Sequence, residues 1–391
     1  MSGAARTAAQ APGEDIVEQG RFRFGPLRFT PSIALTNLGV DNNVFNDDTN
    51  PKQDTTAAIG PQADLWMHIG HSQFTGKVSG QYLYFGTYQN QRAFNTVDDG
   101  RWQWRMTRIT PFLAGSYSNT KERPGYEIDS RARLRSDSFT VGTAVELSAK
   151  TSVVVSGTRT RFAFDEGELF LGADLASALN RTSDSGQLQL RYKLTTLTTF
   201  VVDGEAIQDR FTFNPLRDST SVKVLPGFEL KPSALISGKV FVGYRQFTAR
   251  DGALSDFSGV IAAVDAKYVM SSTRFAVKAS RDLAYSFEPT QPYYALTDLG
   301  LTVTQRVTRS WELVGRGGLQ RLAYQQLRAL ESAGPRTDTI RQYGGGVGYR
   351  VGETIRLGFD AMYYERLSTE GLLRGFDGLR FGASVSYGLP Q

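Results

Sequence analysis

The feature that most constrains this chain is a repeated segment of about a dozen residues in which apolar and polar side chains alternate. It recurs from about Leu27 to Tyr387, and the segments are joined alternately by very short and by longer polar connections. Alternation with a period of two is typical of β-strands that have one apolar and one polar face. Connections sorted by length in this way are typical of membrane β-barrels, which have short periplasmic turns and longer external loops.

The segment from Ser72 to Thr87 illustrates the pattern. Phe74, Val78 and Tyr82 lie on one face, and Lys77 lies on the other with further polar side chains. One such face can meet lipid while the other meets water. No stretch approaches the roughly 18 consecutive apolar residues that a membrane helix requires, and the mean hydropathy of −0.30 is that of a chain whose two faces cancel. A helical membrane protein is therefore excluded.

Counting these segments predicts an all-β, antiparallel transmembrane barrel of about 18 strands, with 16 to 20 possible. An even number places both ends of the barrel in the periplasm. The longer loops are predicted at about residues 39–56, 121–136, 165–180 and 325–338, and these should face outside the cell. The only plausible helical turn is DLASALN at 174–180.

The chain is predicted to contain one folded domain. Residues 26–391 form the barrel, and residues 1–25 form a disordered segment that is a remnant of, or a replacement for, a signal region. Ala9-Gln10-Ala11 has the small-x-small pattern of a signal cleavage site, but no apolar region precedes it. A flexible polar N-terminus is the alternative interpretation.

Catalysis is not expected. The chain has no cysteine and only two histidines, His68 and His71, which lie near a predicted periplasmic turn without an identifiable nucleophile or acidic partner. No metal site or cofactor is expected from this residue set. The net charge of +5 is spread along the chain without a basic block, so nucleic acid is not an expected partner.

The alternation also predicts which charged side chains line the lumen. The predicted basic lumen residues are Lys77, Arg101, Arg105, Arg159, Arg161, Arg191, Lys223, Lys239, Arg245, Lys267, Arg274, Lys278, Arg316, Arg356 and Arg380. The predicted acidic ones, interleaved with them, are Glu146, Asp203, Glu205, Glu229, Asp265, Asp282, Glu312 and Asp360.

These charges have two interpretations. They can line a water-filled passage that binds sugar hydroxyls or attracts anions, or they can form solvated ion pairs that brace neighbouring strands, worth about 0 to 1 kcal/mol each. Arg281 and Arg321 fall on the lipid-facing side, where an end position, a bulge or lipopolysaccharide phosphate would explain them. Residues 41–48 are rich in Asp and Asn but lack the spacing of a calcium loop, so a solvated loop is favoured.

The first strand and its loop, from Pro31 to Phe45, resemble the opening of the putative β-barrel porin 2 family, and the stretch GVDNNVF carries most of the match. The likeness extends over nearly the whole chain in strand rhythm and loop lengths. It implies an outer-membrane portal for export of a polysaccharide, working with periplasmic and inner-membrane proteins. Outer-membrane lipid and lipopolysaccharide are expected partners of the barrel itself. The family has no catalytic motif to transfer.

Two alternatives remain open beside export. One is a passive or sugar-selective diffusion porin for small solutes, which predicts a long loop folded inward to narrow the lumen; residues 39–56 or 165–180 could supply it. The other is a non-conducting structural or adhesive barrel whose lumen is closed by side chains and loops.

Overall fold

Eighteen long strands dominate the computed structural model, which describes residues 20–328, 336–369 and 374–388. We label them β1 to β18. They are, in order, Leu27–Asp41, Asp54–Ile69, Ser72–Phe85, Ala93–Trp104, Ile109–Glu122, Ala132–Glu146, Thr151–Phe164, Arg181–Lys193, Thr198–Phe211, Ser219–Leu230, Ile236–Ala249, Phe257–Met270, Thr273–Tyr285, Tyr293–Arg306, Trp311–Gln325, Thr337–Val351, Ile355–Ser368 and Phe376–Tyr387.

The strands form one closed antiparallel barrel. Each pairs with its neighbours in sequence, and β1 pairs with β18 from Ile33 opposite Tyr387 to Asp41 opposite Arg380. Closure satisfies the backbone hydrogen bonds of both end strands, which an open sheet in lipid could not do. The prediction of an antiparallel barrel of about 18 strands is confirmed.

The connections differ in length at the two ends of the barrel. The eight at one end have from two residues, at 70–71, to five residues, at 231–235. The nine at the other end have from seven residues, at 86–92, to sixteen residues, at 165–180. The end with short turns is the periplasmic end by the general rule for such barrels.

The two faces of each strand differ as the alternation predicts. On β10, Val222, Val224 and Phe228 are 56, 47 and 43% exposed, whereas Ser221 and Lys223, on either side of Val222, are each 3% exposed. The exposed apolar side chains point away from the barrel and form the surface that meets lipid. The buried polar ones point into the lumen.

Several smaller elements lie outside the barrel wall, among them the 3-10 turns Gln89–Gln91 and Pro215–Arg217 and the short strand pair Leu169–Phe170 and Ala173–Asp174. The helix Leu175–Leu179 is capped by Asp174, whose carboxylate accepts hydrogen bonds from Ala176 N at 3.1 Å and Ser177 N at 3.3 Å. This confirms the predicted helical turn. Before the barrel, Phe22–Phe24 pairs with the start of β1.

Residues 1–19 of the predicted disordered segment, 1–25, lie outside the described residues. The prediction does not hold for Phe22–Phe24, which forms the short strand paired with the start of β1. Within the part of the chain that the structure describes, no helix is long and apolar enough to cross a membrane.

Candidate functional site: the lumen and its crossing loop

Residues 123–131, the connection between β5 and β6, cross the lumen, and we call them the crossing loop. The Tyr126 hydroxyl donates a hydrogen bond to Asp298 Oδ2 on β14 at 2.9 Å. In the closed sheet of eighteen, β14 is nine strands from β5 and eight from β6. The loop therefore ties together opposite walls of the barrel. It also shows which face of each wall strand is the inner one.

The inner face carries most of the charged residues that the alternation assigns to it. Residues that lie opposite each other on paired strands share a face. Starting from Asp298, which the crossing loop contacts, the strand register therefore assigns the inner face all the way round the barrel. The structure thereby places on the lumen side Lys77, Arg101, Arg191, Lys223, Lys239, Arg245, Lys267, Arg274, Lys278, Arg316, Arg356, Arg380, Glu146, Asp203, Glu205, Glu229, Asp265, Asp282, Glu312 and Asp360. Arg105 lies just beyond β4, in the periplasmic turn 105–108.

Many of these charges are paired across neighbouring strands. Lys223 Nζ lies 2.9 Å from Glu205 Oε2, and both side chains are nearly buried. Glu312 accepts from Arg350 Nη2 at 2.8 Å and from Arg356 Nε at 2.6 Å. Exposed pairs on the same face, such as Lys278 with Asp265 at 3.8 Å, present both a cation and an anion to the passage, so the wall does not carry one sign of charge.

Two predicted lumen residues, Arg159 and Arg161, lie on the outer face instead, so their assignment was wrong. On β7, Ser152 and Val154 are 8 and 3% exposed, and Val154 clusters with Phe112 of the lumen wall. The odd-numbered residues of β7 therefore point outward. The alternation misled here because the lumen wall is locally apolar while the outer end of the strand is charged.

Glu127 fixes the tip of the crossing loop to the far side of the mouth. It is 2% exposed, and its carboxylate accepts hydrogen bonds from the Ser286 hydroxyl at 2.6 Å and from Phe287 N at 3.2 Å. Burial raises the pKa of the Glu127 carboxyl to about 7; the nearby Arg374 guanidinium opposes this shift and Glu288 reinforces it. The loop is thus held by a carboxyl that titrates near neutrality.

Arg366 on β17 makes the second anchor. Its Nη1 donates to Asp129 Oδ2 at 2.7 Å and to the Glu127 carbonyl at 3.2 Å, and its Nη2 pairs with Asp338. Arg336 donates to the same Asp338 from Nη2 at 2.8 Å. Because Arg366 and Asp338 are fully buried, each charge depends on its partners for stabilisation.

The mouth is further filled by an apolar cluster. Leu175 and Leu179 of the short helix pack with Ile128 of the crossing loop and with Phe287, all at most 5% exposed. The loop at 165–180, one of the two predicted to fold inward, therefore contributes the helix that backs the crossing loop. The loop that crosses is a different one, at 123–131, because its tip finds buried partners on the opposite wall.

The stretch GVDNNVF, residues 39–45, has a structural role at the same place. Asp41 pairs with Arg380 at 2.7 Å across the β1–β18 seam. The carbonyl of Val44 accepts hydrogen bonds from Arg123 at 2.6 Å and Arg131 at 3.1 Å, at the two ends of the crossing loop. The motif closes the barrel and positions the base of the loop.

Several of these residues were missed from sequence. Arg366 lies an even number of residues from Arg356 and Asp360 on β17 and so shares their inner face. This spacing is the sequence signal that could have identified it. Asp338 falls on the last residue of the predicted loop 325–338, although the structure places it in β16. Glu127, inside a polar loop, had no sequence signal of its own.

The comparisons with known proteins agree with this architecture. A family model described as "Putative beta-barrel porin 2" matches residues 20–386. The chain belongs to this family. This porin lies in the bacterial outer membrane. A search of curated protein sequences gives no match.

Two solved structures share the fold of this porin. OccK2 (OpdF) from Pseudomonas aeruginosa, in complex with glucuronate, has a TM-score of 0.51 and 12% identity over 93% of this chain and 98% of that one. OpdK from Pseudomonas aeruginosa has a TM-score of 0.50 and 8% identity over 92% of this chain and 98% of that one. At these identities the likeness concerns the fold.

Proposed function

We propose that this porin is a passive diffusion channel for small, polar, sugar-sized solutes and that it is not an enzyme. The observation that carries the proposal is the crossing loop, which is anchored on the opposite wall through Tyr126, Glu127 and Asp129. A loop in this position divides the mouth of a barrel that is roughly 35 Å across at the backbone, given strands ~4.8 Å apart and tilted by ~40°.

The anchoring makes the narrowing a fixed property of the channel. Moving the loop aside would separate Arg366 from Asp129 and remove Glu127 from its two donors. Breaking a buried charge pair costs about 3 to 5 kcal/mol. Thermal motion would therefore leave the loop in place almost all of the time, and solutes would pass beside it.

The lumen suits uncharged or weakly charged polar solutes. Exposed and half-buried paired groups, such as Lys278 with Asp265 at 3.8 Å and Arg316 with Asp360 at 2.5 Å, offer both donors and acceptors to hydroxyl groups. The OccK2 structure, which shares the fold, holds glucuronate, a solute of this size. Little net selectivity between small cations and anions is expected from such a wall.

Polysaccharide export, which the family resemblance implies, is the weaker proposal. A polymer would occupy the lumen continuously, so the crossing loop would have to leave all of its anchors together. The diffusion channel requires no such movement. Deleting the gene separates the two: the diffusion channel predicts unchanged surface polysaccharide and slower uptake of a small sugar.

The direct test is reconstitution of the purified barrel. The wild-type protein should conduct in planar bilayers, and in liposomes it should pass monosaccharides while excluding dextran. Replacing residues 124–130 by two glycines should raise the conductance and admit larger oligosaccharides. The matched control shortens the loop 250–256, whose described contacts are with residues 326–328, Asp218 and Tyr293 and not with the crossing loop, and should change neither property.

Two results would contradict the proposal. A barrel that carries no current even after the crossing loop is shortened would be a non-conducting, structural one. Passage of dextran as readily as of glucose through the wild-type barrel would favour the export of a polymer.

A further inference from the structure

The outer face of β6 to β9 carries a group of arginines near the external end of the barrel. We call Arg135, Arg159, Arg161 and Arg210 the outer arginine patch. Arg135, Arg161 and Arg210 are exposed, and the side chain of Arg159 is 69% exposed. Charges on the lipid-facing side of a membrane barrel are costly near the bilayer centre and acceptable only towards its edges.

The patch begins where the apolar surface ends. On β7, Val153 and Val155 point outward nearer the periplasmic end, and Arg159 and Arg161 follow on the same face. Arg161 is ten residues from the start of β7, which is about 25 Å along the membrane normal at ~3.3 Å per residue and a tilt of ~40°. The apolar band of such barrels is also about 25 Å tall, so Arg161 lies at its outer edge, among the headgroups of the outer leaflet.

Three neighbouring strands bring two of these arginines to either side of a hydroxyl. Arg161 lies opposite Thr182 on β8, and Thr182 lies opposite Arg210 on β9. Two strand spacings separate the arginines by about 10 Å. Arg135 on β6 lies opposite Ala163 of β7. Ala163 is on the same face as Arg161 and two residues nearer the external end of the barrel. Side chains of this length can converge on one anionic group or on two neighbouring ones.

Four arginines share this face with two carboxylates. Asp137 on β6 lies opposite Arg161, and Asp184 on β8 lies opposite Arg159. Arg159 pairs with Asp184 at 2.6 Å. Among the residues that the structure places, no carboxylate lies within ion-pair distance of Arg135, Arg161 or Arg210, and Arg210 donates instead to Gln208 at 2.8 Å. A comparable row at Arg281, Thr297 and Arg321 differs, because there Arg281 is engaged by Thr297 at 2.9 Å and by the Val260 carbonyl at 3.2 Å.

We propose that the outer arginine patch binds the phosphate groups of a phosphorylated glycolipid in the outer leaflet. The position of the patch at the edge of the apolar band selects a ligand with acyl chains, which lie against Val153 and Val155, and with an anionic headgroup at the level of Arg161. Arginine suits phosphate because its planar group donates two parallel hydrogen bonds. Each arginine at an anionic lipid surface strengthens binding by about fivefold.

Native mass spectrometry of the detergent-solubilised barrel tests the site. The probes are diphosphoryl lipid A, the same lipid enzymatically dephosphorylated, and phosphatidylglycerol. Wild-type protein should retain diphosphoryl lipid A in preference to the other two. The triple variant Arg135→Gln, Arg161→Gln, Arg210→Gln should bind it on the order of 100-fold more weakly and still fold, because all three side chains are exposed.

The control variant removes the same number of charges at the other end of the barrel. Arg108→Gln, Lys150→Gln, Arg309→Gln changes three exposed residues of the periplasmic turns and should bind diphosphoryl lipid A as the wild type does. Two results would show that the patch acts only by general charge attraction and would overturn the proposal. One is an equal loss of lipid A binding in both triple variants. The other is retention of phosphatidylglycerol by the wild type as strong as that of diphosphoryl lipid A. A shift of the triple variant from oligomer to monomer in lipid-free detergent would also overturn the proposal, because it would assign the patch to contact with a second copy of the chain.

Discussion

Arg366 Nη1 lies 2.7 Å from Asp129 Oδ2, and this contact joins a wall strand to the crossing loop 237 residues away in sequence. The same guanidinium reaches Asp338 on the adjoining strand and the carbonyl of Glu127. One side chain thus holds both the loop and the wall against which the loop rests. Its removal is the most direct way to detach the loop without changing the loop's own sequence.

Arg366→Met should therefore release the crossing loop. It leaves Asp129 without its cation and Asp338 with Arg336 alone, and we expect about 3 kcal/mol of lost stability together with higher, noisier single-channel current. Urea unfolding in lipid vesicles and planar-bilayer recording measure the two effects. Arg341→Met, which removes an exposed pair with Glu365 at 3.2 Å, should cost under about 1 kcal/mol and leave the current unchanged. Equal effects of the two variants would contradict the anchor role.

The loop should also respond to pH through Glu127. Its folded-state pKa is raised to about 7 from an ordinary value of 4.5. The folded protein therefore holds a proton that the unfolded chain releases, and stability is fully present below about pH 4.5 and is lost as the pH rises to about 7. The change amounts to ~3 kcal/mol.

We accordingly expect the conductance and its noise to increase between pH 5 and pH 8. Glu127→Gln keeps a neutral side chain that can accept from Phe287 N and donate to the Ser286 hydroxyl. It should flatten the response. A wild-type current that is constant across this range would rule out Glu127 as the titrating anchor.

The assignment of inner and outer faces can be tested with two mid-strand substitutions. Val242 on β11 is 52% exposed on the outer face, and Val242→Arg should destabilise the barrel by about 2 to 4 kcal/mol in lipid. Ala263 on β12 is exposed on the lumen side, opposite Phe241, and Ala263→Arg should be tolerated and lower the conductance. Urea titration in vesicles measures the stability of both variants. A larger loss of stability for Ala263→Arg than for Val242→Arg would show that the inner and outer faces are assigned the wrong way round.

The apolar backing of the loop gives a further prediction. Leu175 is fully buried against Ile128 and Phe287, so Leu175→Ala should cost about 2 to 4 kcal/mol locally and speed proteolysis within residues 123–131. Leu169, in the same connection but 63% exposed, provides the control: Leu169→Ala should leave the cleavage rate as it is. Cleavage that is slow in both variants would show that the helix does not support the loop.

The amino-acid sequence by itself determined the barrel. Alternation specified which side chains share a face of each strand, and the sorted connections specified the number of strands and the end that carries the long loops. The short helix was recognisable too, because its cap is local: Asp174 accepts hydrogen bonds from Ala176 N and Ser177 N, two and three residues further along the chain. These features depend on contacts that are local or that repeat at a fixed spacing, and so they can be inferred from the sequence.

Only the tertiary structure decided what fills the lumen and which charges face out. Tyr126 meets Asp298 across 172 residues, and no periodicity encodes such a contact. Arg159 and Arg161 were assigned to the lumen because alternation distinguishes two faces without saying which is inner where both are partly polar. Closure of the sheet resolves this, because it buries Val154 beside Phe112 on the inside and leaves the arginines at the edge of the apolar band, where their charge remains solvated.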